Sequence, residues 1–126
     1  MSKRVLIVDD DPMIRDVLST MLGAEGYETV TAENGKQAAT ILDSEERPLN
    51  YCLIVLDVMM PEMNGLDLLT RLKLHTHTQN IPVLMLTGED KNDDMMVGYS
   101  CGADYYITKP FTRQQLQFGL KTVLGG

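Results

Sequence analysis

Five side chains in this sequence could do chemistry together: Asp9, Asp10, Asp57, Thr87 and Lys109. Each follows an apolar run. Val5-Leu6-Ile7-Val8 leads into Asp9-Asp10, and Leu53-Ile54-Val55-Leu56 into Asp57. Ile81 to Leu86 leads into Thr87, and Tyr105-Tyr106-Ile107-Thr108 into Lys109. If the runs are neighbouring parallel strands, these groups share one edge of a sheet. Three carboxylates there are costly, since two about 5 Å apart repel by roughly 3 kcal/mol at an effective dielectric of about 20. A hard divalent ion with oxygen ligands would offset this. Mg²⁺ fits best when one or two carboxylates, waters and a phosphate complete an octahedron, with Mn²⁺ as the alternative. Lys109 is a point charge suited to an anion, and Thr87 offers a hydroxyl donor. Such a set can hold a phosphoryl group. A carboxylate can also be the nucleophile that accepts it as an aspartyl phosphate. The metal and Lys109 would neutralise charge on the phosphoryl oxygens during transfer.

Each residue alone has a plainer reading. Asp9 to Asp11 could be an acidic capping turn, Asp57 a strand-end turn residue, Thr87 a loop hydroxyl and Lys109 a surface lysine. Their joint position after four apolar runs favours a shared site.

The elements that must position them are legible in order. Leu53 to Leu56 is a continuous apolar run, read as a strand buried on both faces. Val5 to Val8 is a second such run. Pro12 suits the first turn of a helix and makes Asp11 its N-cap. That helix buries Ile14, Val17, Leu18, Met21 and Leu22, and Gly23 and Gly26 stop it. Glu28 to Ala32 is a weaker strand. Asn34-Gly35 opens a helix with Ala38, Ala39, Ile41 and Leu42 as its stripe, and Glu45-Glu46-Arg47-Pro48 is a solvated loop. Asn64-Gly65 leads into a helix carrying Leu66, Leu68, Leu69 and Leu72. After a polar loop, residues 81–86 form a strand and about 91–101 a helix ended by Gly102. Residues 104–108 form the last strand and about 112–123 the last helix.

The pattern is βα five times. It predicts an α/β fold with a doubly wound, five-stranded parallel sheet and right-handed crossovers. The most apolar strands should be central, which suggests the order 2-1-3-4-5. The order then reverses between strands one and three, so a crevice opens beside Asp9, Asp10 and Asp57.

Composition sets limits. The 126 residues fit one domain, assigned to 1–126. The net charge of −7 argues against unaided nucleic-acid binding, which needs a basic face. No apolar run approaches the roughly 20 residues needed to span a bilayer, and the four after Lys3-Arg4 are too few for a signal-peptide core. Cys52 and Cys101 have no metal or redox spacing and read as reduced residues of a cytoplasmic protein. His75 and His77 form an HxH pair with no third ligand evident.

Over essentially its whole length the chain resembles the receiver domain of two-component response regulators. The matching stretches are Val8-Asp9-Asp10-Asp11-Pro12, Leu56-Asp57-Val58-Met59-Met60-Pro61 with Asn64-Gly65, Leu86-Thr87-Gly88, and Gly102 through Phe111. Their order and spacing are more specific than any one of them. The chemotaxis receiver is itself a known example of the 2-1-3-4-5, flavodoxin-like order, so order and resemblance are not independent.

The resemblance implies that Asp57 is the phosphoacceptor. It implies that Asp9, Asp10, Asp57 and the backbone carbonyl of Met59 hold Mg²⁺, with Asp9 partly through water. Thr87 would bond the phosphoryl group, Lys109 would pair with it, and the Lys109-Pro110 bond would be cis. Asp11 matches no required family position and remains an N-cap. Tyr106 falls at the switch aromatic, which would turn inward as Thr87 moves toward the phosphate. The face made by the fourth helix, fifth strand and fifth helix would then change. Met59 and Glu89 sit where phosphate lifetime could be tuned, and Met95 and Met96 could belong to a docking surface. Implied partners are a histidine kinase or histidine phosphotransfer protein, and a downstream protein or fused output domain. A dimer through that face is also open. Catalysis would be limited to the domain's own phosphotransfer and autodephosphorylation.

Three other functions compete. A haloacid-dehalogenase-type phosphatase would carry an acid two residues after its nucleophile, where Met59 stands. A flavodoxin-like flavin carrier would place its phosphate against three acids, and no Ser/Thr/Gly-rich loop follows the first strand. A receiver-like interaction module regulated without phosphorylation is the remaining alternative. The intact acid pair, Asp57, Thr87 and Lys109 argue against it.

Overall fold

The computed structural model describes residues 3–45, 50–58, 65–88 and 102–125. β1 (Arg4–Val8), β2 (Glu28–Ala32), β3 (Leu53–Asp57), β4 (Val83–Thr87) and β5 (Tyr105–Thr108) form one sheet in the order β2-β1-β3-β4-β5. Every pairing is parallel, with Val8 opposite Leu56, Asp57 opposite Leu86 and Thr87 opposite Thr108. The expected sheet order is therefore the observed one.

The helices are α1 (Pro12–Ala24), α2 (Gly35–Ser44), α3 (Gly65–Leu74) and α4 (Arg113–Leu124). The helix expected over 91–101 lies outside the described residues, as do Met59, Glu89, Met95, Met96, Tyr99 and Cys101.

Alternation along the strands divides the core. Leu6, Val8, Ile54, Leu56, Val83, Met85 and Tyr106 pack with the buried faces of α2 and α3. Val5, Ile7, Leu53, Val55, Leu84, Leu86 and Ile107 pack with Leu18 and Leu22 of α1 and with Leu116 and Leu120 of α4. β1, β3 and β4 are covered on both sides, which is why their sequences read as unbroken apolar runs. Gly119 lets α4 approach the sheet, because a Cβ there would lie 3.2 Å from side-chain atoms of Ile107, Leu84 and Tyr105.

Local signals set the helix starts. Asp11 Oδ1 accepts from Met13 N at 2.9 Å, and Asn34 Oδ1 from Gln37 N at 2.7 Å. Thr112 and Gln115 form a reciprocal capping box at α4.

Four details depart from the sequence reading. α1 runs through Gly23 and ends at Ala24, so the stop comes from Gly26, at φ +92°. Val17 is exposed, since Leu18 and Leu22 already complete the buried stripe. β4 begins at Val83, although Ile81 is still buried ahead of it. Glu45 is not a solvated loop residue: its Oε1 accepts from Arg4 Nη2 at 3.0 Å and Tyr51 Oη at 3.1 Å.

Candidate phosphoacceptor and metal site

The strand ladders continue one residue past their ends, and this places the functional groups. Asp9 N donates to Ala32 O at 3.2 Å, Val58 N to Leu86 O at 2.9 Å, and Lys109 N to Thr87 O at 2.7 Å. Asp9, Asp57, Thr87 and Lys109 therefore meet along the carboxyl edge of the sheet. Asp9, Asp57 and Thr87 are all buried, at 0%, 3% and 1% exposure. Buried carboxylates need partners, because desolvation penalises their charge.

Lys109 is the partner both acids share. Its Nζ lies 3.0 Å from Asp9 Oδ2 and 3.2 Å from Asp57 Oδ1. Burial alone lowers the Lys109 pKa, the largest single effect. The contacts with Asp9 and Asp57 together outweigh it, and the ammonium titrates above its ordinary value. The cation is thus held in its charged form between two acids.

One cation does not satisfy the set. Carboxylate oxygens of Asp9, Asp10 and Asp57 lie within 4.8 Å of one another. Asp9 Oδ2 is buried and, despite its ion pair with Lys109, accepts no well-directed hydrogen bond among the described residues. Asp10 is exposed at the mouth. An all-oxygen, net-negative cluster with an unsatisfied buried oxygen fits a hard divalent cation.

The β1–α1 loop that carries the acids is closely bonded. Asp9 Oδ1 accepts from Asp11 N at 2.9 Å, and Arg15 Nη1 donates to Asp9 O at 2.7 Å. On the other side, α3 begins against the acceptor strand, with Gly65 N donating to Val58 O at 2.9 Å. A Cβ at Gly65 would run into the Asp57 carbonyl oxygen and lie 2.9 Å from the Asp57 carbonyl carbon. Only glycine allows that approach.

Among the described residues Thr87 Oγ1 makes one long contact, 3.5 Å to Gly88 O, so its hydroxyl is weakly committed there. Tyr106 is buried at 7% exposure and pairs with Met85, two residues before Thr87 on the same sheet face. Tyr105 is half-buried, its ring 6.3 Å from that of Phe118. The Lys109-Pro110 bond is cis, as the resemblance implied. His75 and His77 are both exposed and belong to no metal-competent cluster among the described residues. Cys52 is half-buried and free.

A sequence model of the response regulator receiver domain matches residues 5–121. The chain belongs to that family.

Its relatives agree. The phosphate regulon transcriptional regulatory protein PhoB of Pseudomonas aeruginosa is 43% identical over 123 residues, 97% of this chain and 52% of that protein. The transcriptional regulatory protein SrrA of Staphylococcus aureus is 37% identical over 124 residues, 98% of this chain and 48% of that protein. This receiver domain thus spans about half the length of the curated relatives it matches. Among solved structures, the chemotaxis protein CheY4 of Vibrio cholerae superposes with a TM-score of 0.86 at 31% identity, covering 98% of this chain and 99% of that one. The receiver domain of the Pseudomonas aeruginosa sensor histidine kinase PA1611 superposes with a TM-score of 0.85 at 25% identity, covering 100% of both chains. That structure holds a magnesium ion coordinated in its active-site cleft.

Two residues of the crevice carry no role in the sequence reading. Gly65 is legible as a helix opener and as part of a matching stretch, but its approach to Asp57 depends on the fold. Arg15 sits on the polar side of an amphipathic pattern, and nothing in its spacing distinguishes it from a surface arginine. In the described residues no helix is long and apolar enough to cross a membrane.

Proposed function

We propose that this receiver domain is a phosphorylation-controlled switch in a histidine-to-aspartate relay, with Asp57 as the phosphoacceptor. The observation that carries this reading is the Asp57 carboxylate itself. It is buried at the end of β3, ion-paired with Lys109, and within 4.8 Å of two further acids.

An Asp57 carboxylate oxygen attacks phosphorus of a phosphohistidine on a histidine kinase or phosphotransfer protein. A P–O bond forms, the P–N bond breaks, and its electron pair leaves with the imidazole nitrogen. Lys109 holds the acceptor oxygen before transfer and pairs with the phosphoryl oxygens after it. Thr87, with its hydroxyl weakly committed, donates to one of those oxygens. Asp9, Asp10 and Asp57, with the Met59 carbonyl, would hold Mg²⁺, or Mn²⁺ in its place. The ion supplies charge neutralisation at the transferring group. Tyr106 lies close to Thr87 on one sheet face, which suits coupling between the phosphate and the surface around β5 and α4.

In this reading the domain turns over no external substrate beyond its phosphodonor. It works in the cytoplasm and controls a downstream protein or a fused output domain, without contacting nucleic acid itself. A dimer through the face around β5 and the last helix would be one route to that control.

Intact mass after incubation with Mg²⁺ and a small-molecule phosphodonor tests the proposal. One acid-stable, base-labile phosphoryl group is expected on the wild type, and none without Mg²⁺ or on Asp57→Asn. No adduct at early time points, or an equal adduct on both proteins, would overturn the Asp57 assignment. An interaction module regulated without phosphorylation would then be the better account.

A further inference from the structure

We infer that Arg15 is a positioning residue for the metal-binding acids, acting through the Asp9 carbonyl rather than through its charge. The inference rests on the reading of the crevice as a divalent-cation site.

Asp10 is exposed, and among the described residues its side chain makes no hydrogen bond. Its position must therefore be set by the peptide units on either side. The preceding unit is held by Arg15 Nη1, which donates to Asp9 O at 2.7 Å. The following unit is held by Asp11 N, which donates to Asp9 Oδ1 at 2.9 Å. Arg15 is half-buried in the first turns of α1, and its own amide donates to Asp11 O at 3.1 Å. The guanidinium thus ties the Asp9 carbonyl to α1, whose own first backbone bond already anchors Asp11.

Its choice of acceptor is informative. Asp9, Asp10 and Asp11 all lie in the adjoining loop, yet among the described residues the guanidinium forms no ion pair and bonds a carbonyl instead. A cation there that acted as a charge alone would compete with Mg²⁺, so its removal would tighten binding. A clamp on the loop has the opposite sign. Its removal leaves Asp10 to be ordered when the ion binds, and the lost conformational freedom weakens affinity.

Titration calorimetry of the whole chain with MgCl₂ separates these. For Arg15→Met the Mg²⁺ dissociation constant should rise roughly 5- to 30-fold, the equivalent of ordering about one residue. The Mg²⁺ concentration for half-maximal phosphorylation should shift by the same factor, while the rate at saturating Mg²⁺ stays within about twofold. Unchanged or tighter Mg²⁺ binding would overturn the inference, as would a loss of rate at saturation with no shift in the Mg²⁺ requirement. If Arg15→Met does not fold, Arg15→Gln carries the same expectation and the same overturning result. Asp10→Asn, run alongside, guards the underlying reading. Should the wild type bind no Mg²⁺, or Asp10→Asn bind it equally well, the crevice reading itself falls. If both of those controls behave and only the Arg15 variants fail to weaken binding, the clamp alone is wrong.

Discussion

The two edges of the sheet each hold a cluster of charged groups, and they are built differently. At the amino edge, Arg4 lies between Glu45 and Tyr51. Its Nη2 donates to Glu45 Oε1 at 3.0 Å and to Tyr51 Oη at 3.3 Å, and its guanidinium stacks 4.5 Å from the Tyr51 ring centroid. Among the described residues one carboxylate, Glu45, pairs with the cation, and Glu28 acts on it from farther off. At the carboxyl edge, Asp9, Asp10 and Asp57 cluster, and Lys109 ion-pairs with Asp9 and Asp57. Both clusters contain a buried carboxylate oxygen without a hydrogen bond among the described residues, Glu45 Oε2 in one and Asp9 Oδ2 in the other. An unsatisfied oxygen by itself therefore does not mark a site. Three carboxylates within 4.8 Å of one another, with one lysine paired to two of them, do: that excess of negative charge among the described residues favours a bound cation.

The largest effect that would sharpen this contrast is at Lys109. Lys109→Met leaves two buried carboxylates without their shared cation and should cost about 2–3 kcal/mol in urea unfolding without Mg²⁺. Added Mg²⁺ should recover part of that loss. Arg4→Met should cost about 1–2 kcal/mol, since its ion pair is a quarter exposed, and Mg²⁺ should recover none of it. Equal Mg²⁺ responses in the two variants would break the comparison.

Smaller effects follow. Asp10→Asn removes one like charge from the cluster, so the metal-free protein should gain up to about 1 kcal/mol and unfold at a higher temperature. Its stabilisation by Mg²⁺ should shrink at the same time. A loss of stability without metal would show that Asp10 is not repelled by its neighbours.

The amino edge responds to pH. Burial, with Glu45 nearby, pushes the Tyr51 hydroxyl up to about 12. A raised folded-state pKa means that the unfolded chain ionises first as pH rises. The Tyr51 contribution is therefore complete below about pH 10 and is lost between roughly 10 and 12. Tyr51→Phe should cost about 1 kcal/mol at pH 7 through the lost Glu45 and Arg4 hydrogen bonds, and should show a shallower alkaline decline than wild type. Parallel alkaline curves for the two proteins would show that Tyr51 does not titrate in that window.

Asp9, Asp57, Thr87 and Lys109 were legible because each follows an apolar run, and apolar runs in a βα pattern become parallel strands with a common edge. Asp11 and Asn34 were legible because capping is a local bond between a side chain and an amide two or three residues on. Glu45 reads as solvated in the sequence because Arg4 is 41 residues away and meets it only when β1 joins the sheet, while Tyr51, six residues on, reaches back only once the chain turns toward β3. Val17 was misread as buried because helical periodicity gives the width of an apolar stripe only approximately.

The sequence by itself determined the order of the described elements and which residues stand at the strand ends, because periodicity and turn chemistry are local. The sheet order followed from which runs are the most apolar. Only the tertiary structure decided that Lys109 lies 3.0 Å and 3.2 Å from two acids, that Gly65 must lack a side chain, and that Arg15 closes the loop onto Asp9. Each of those facts depends on how close two separately formed elements approach. That distance is set by the packing of the whole core, and no window of sequence contains it.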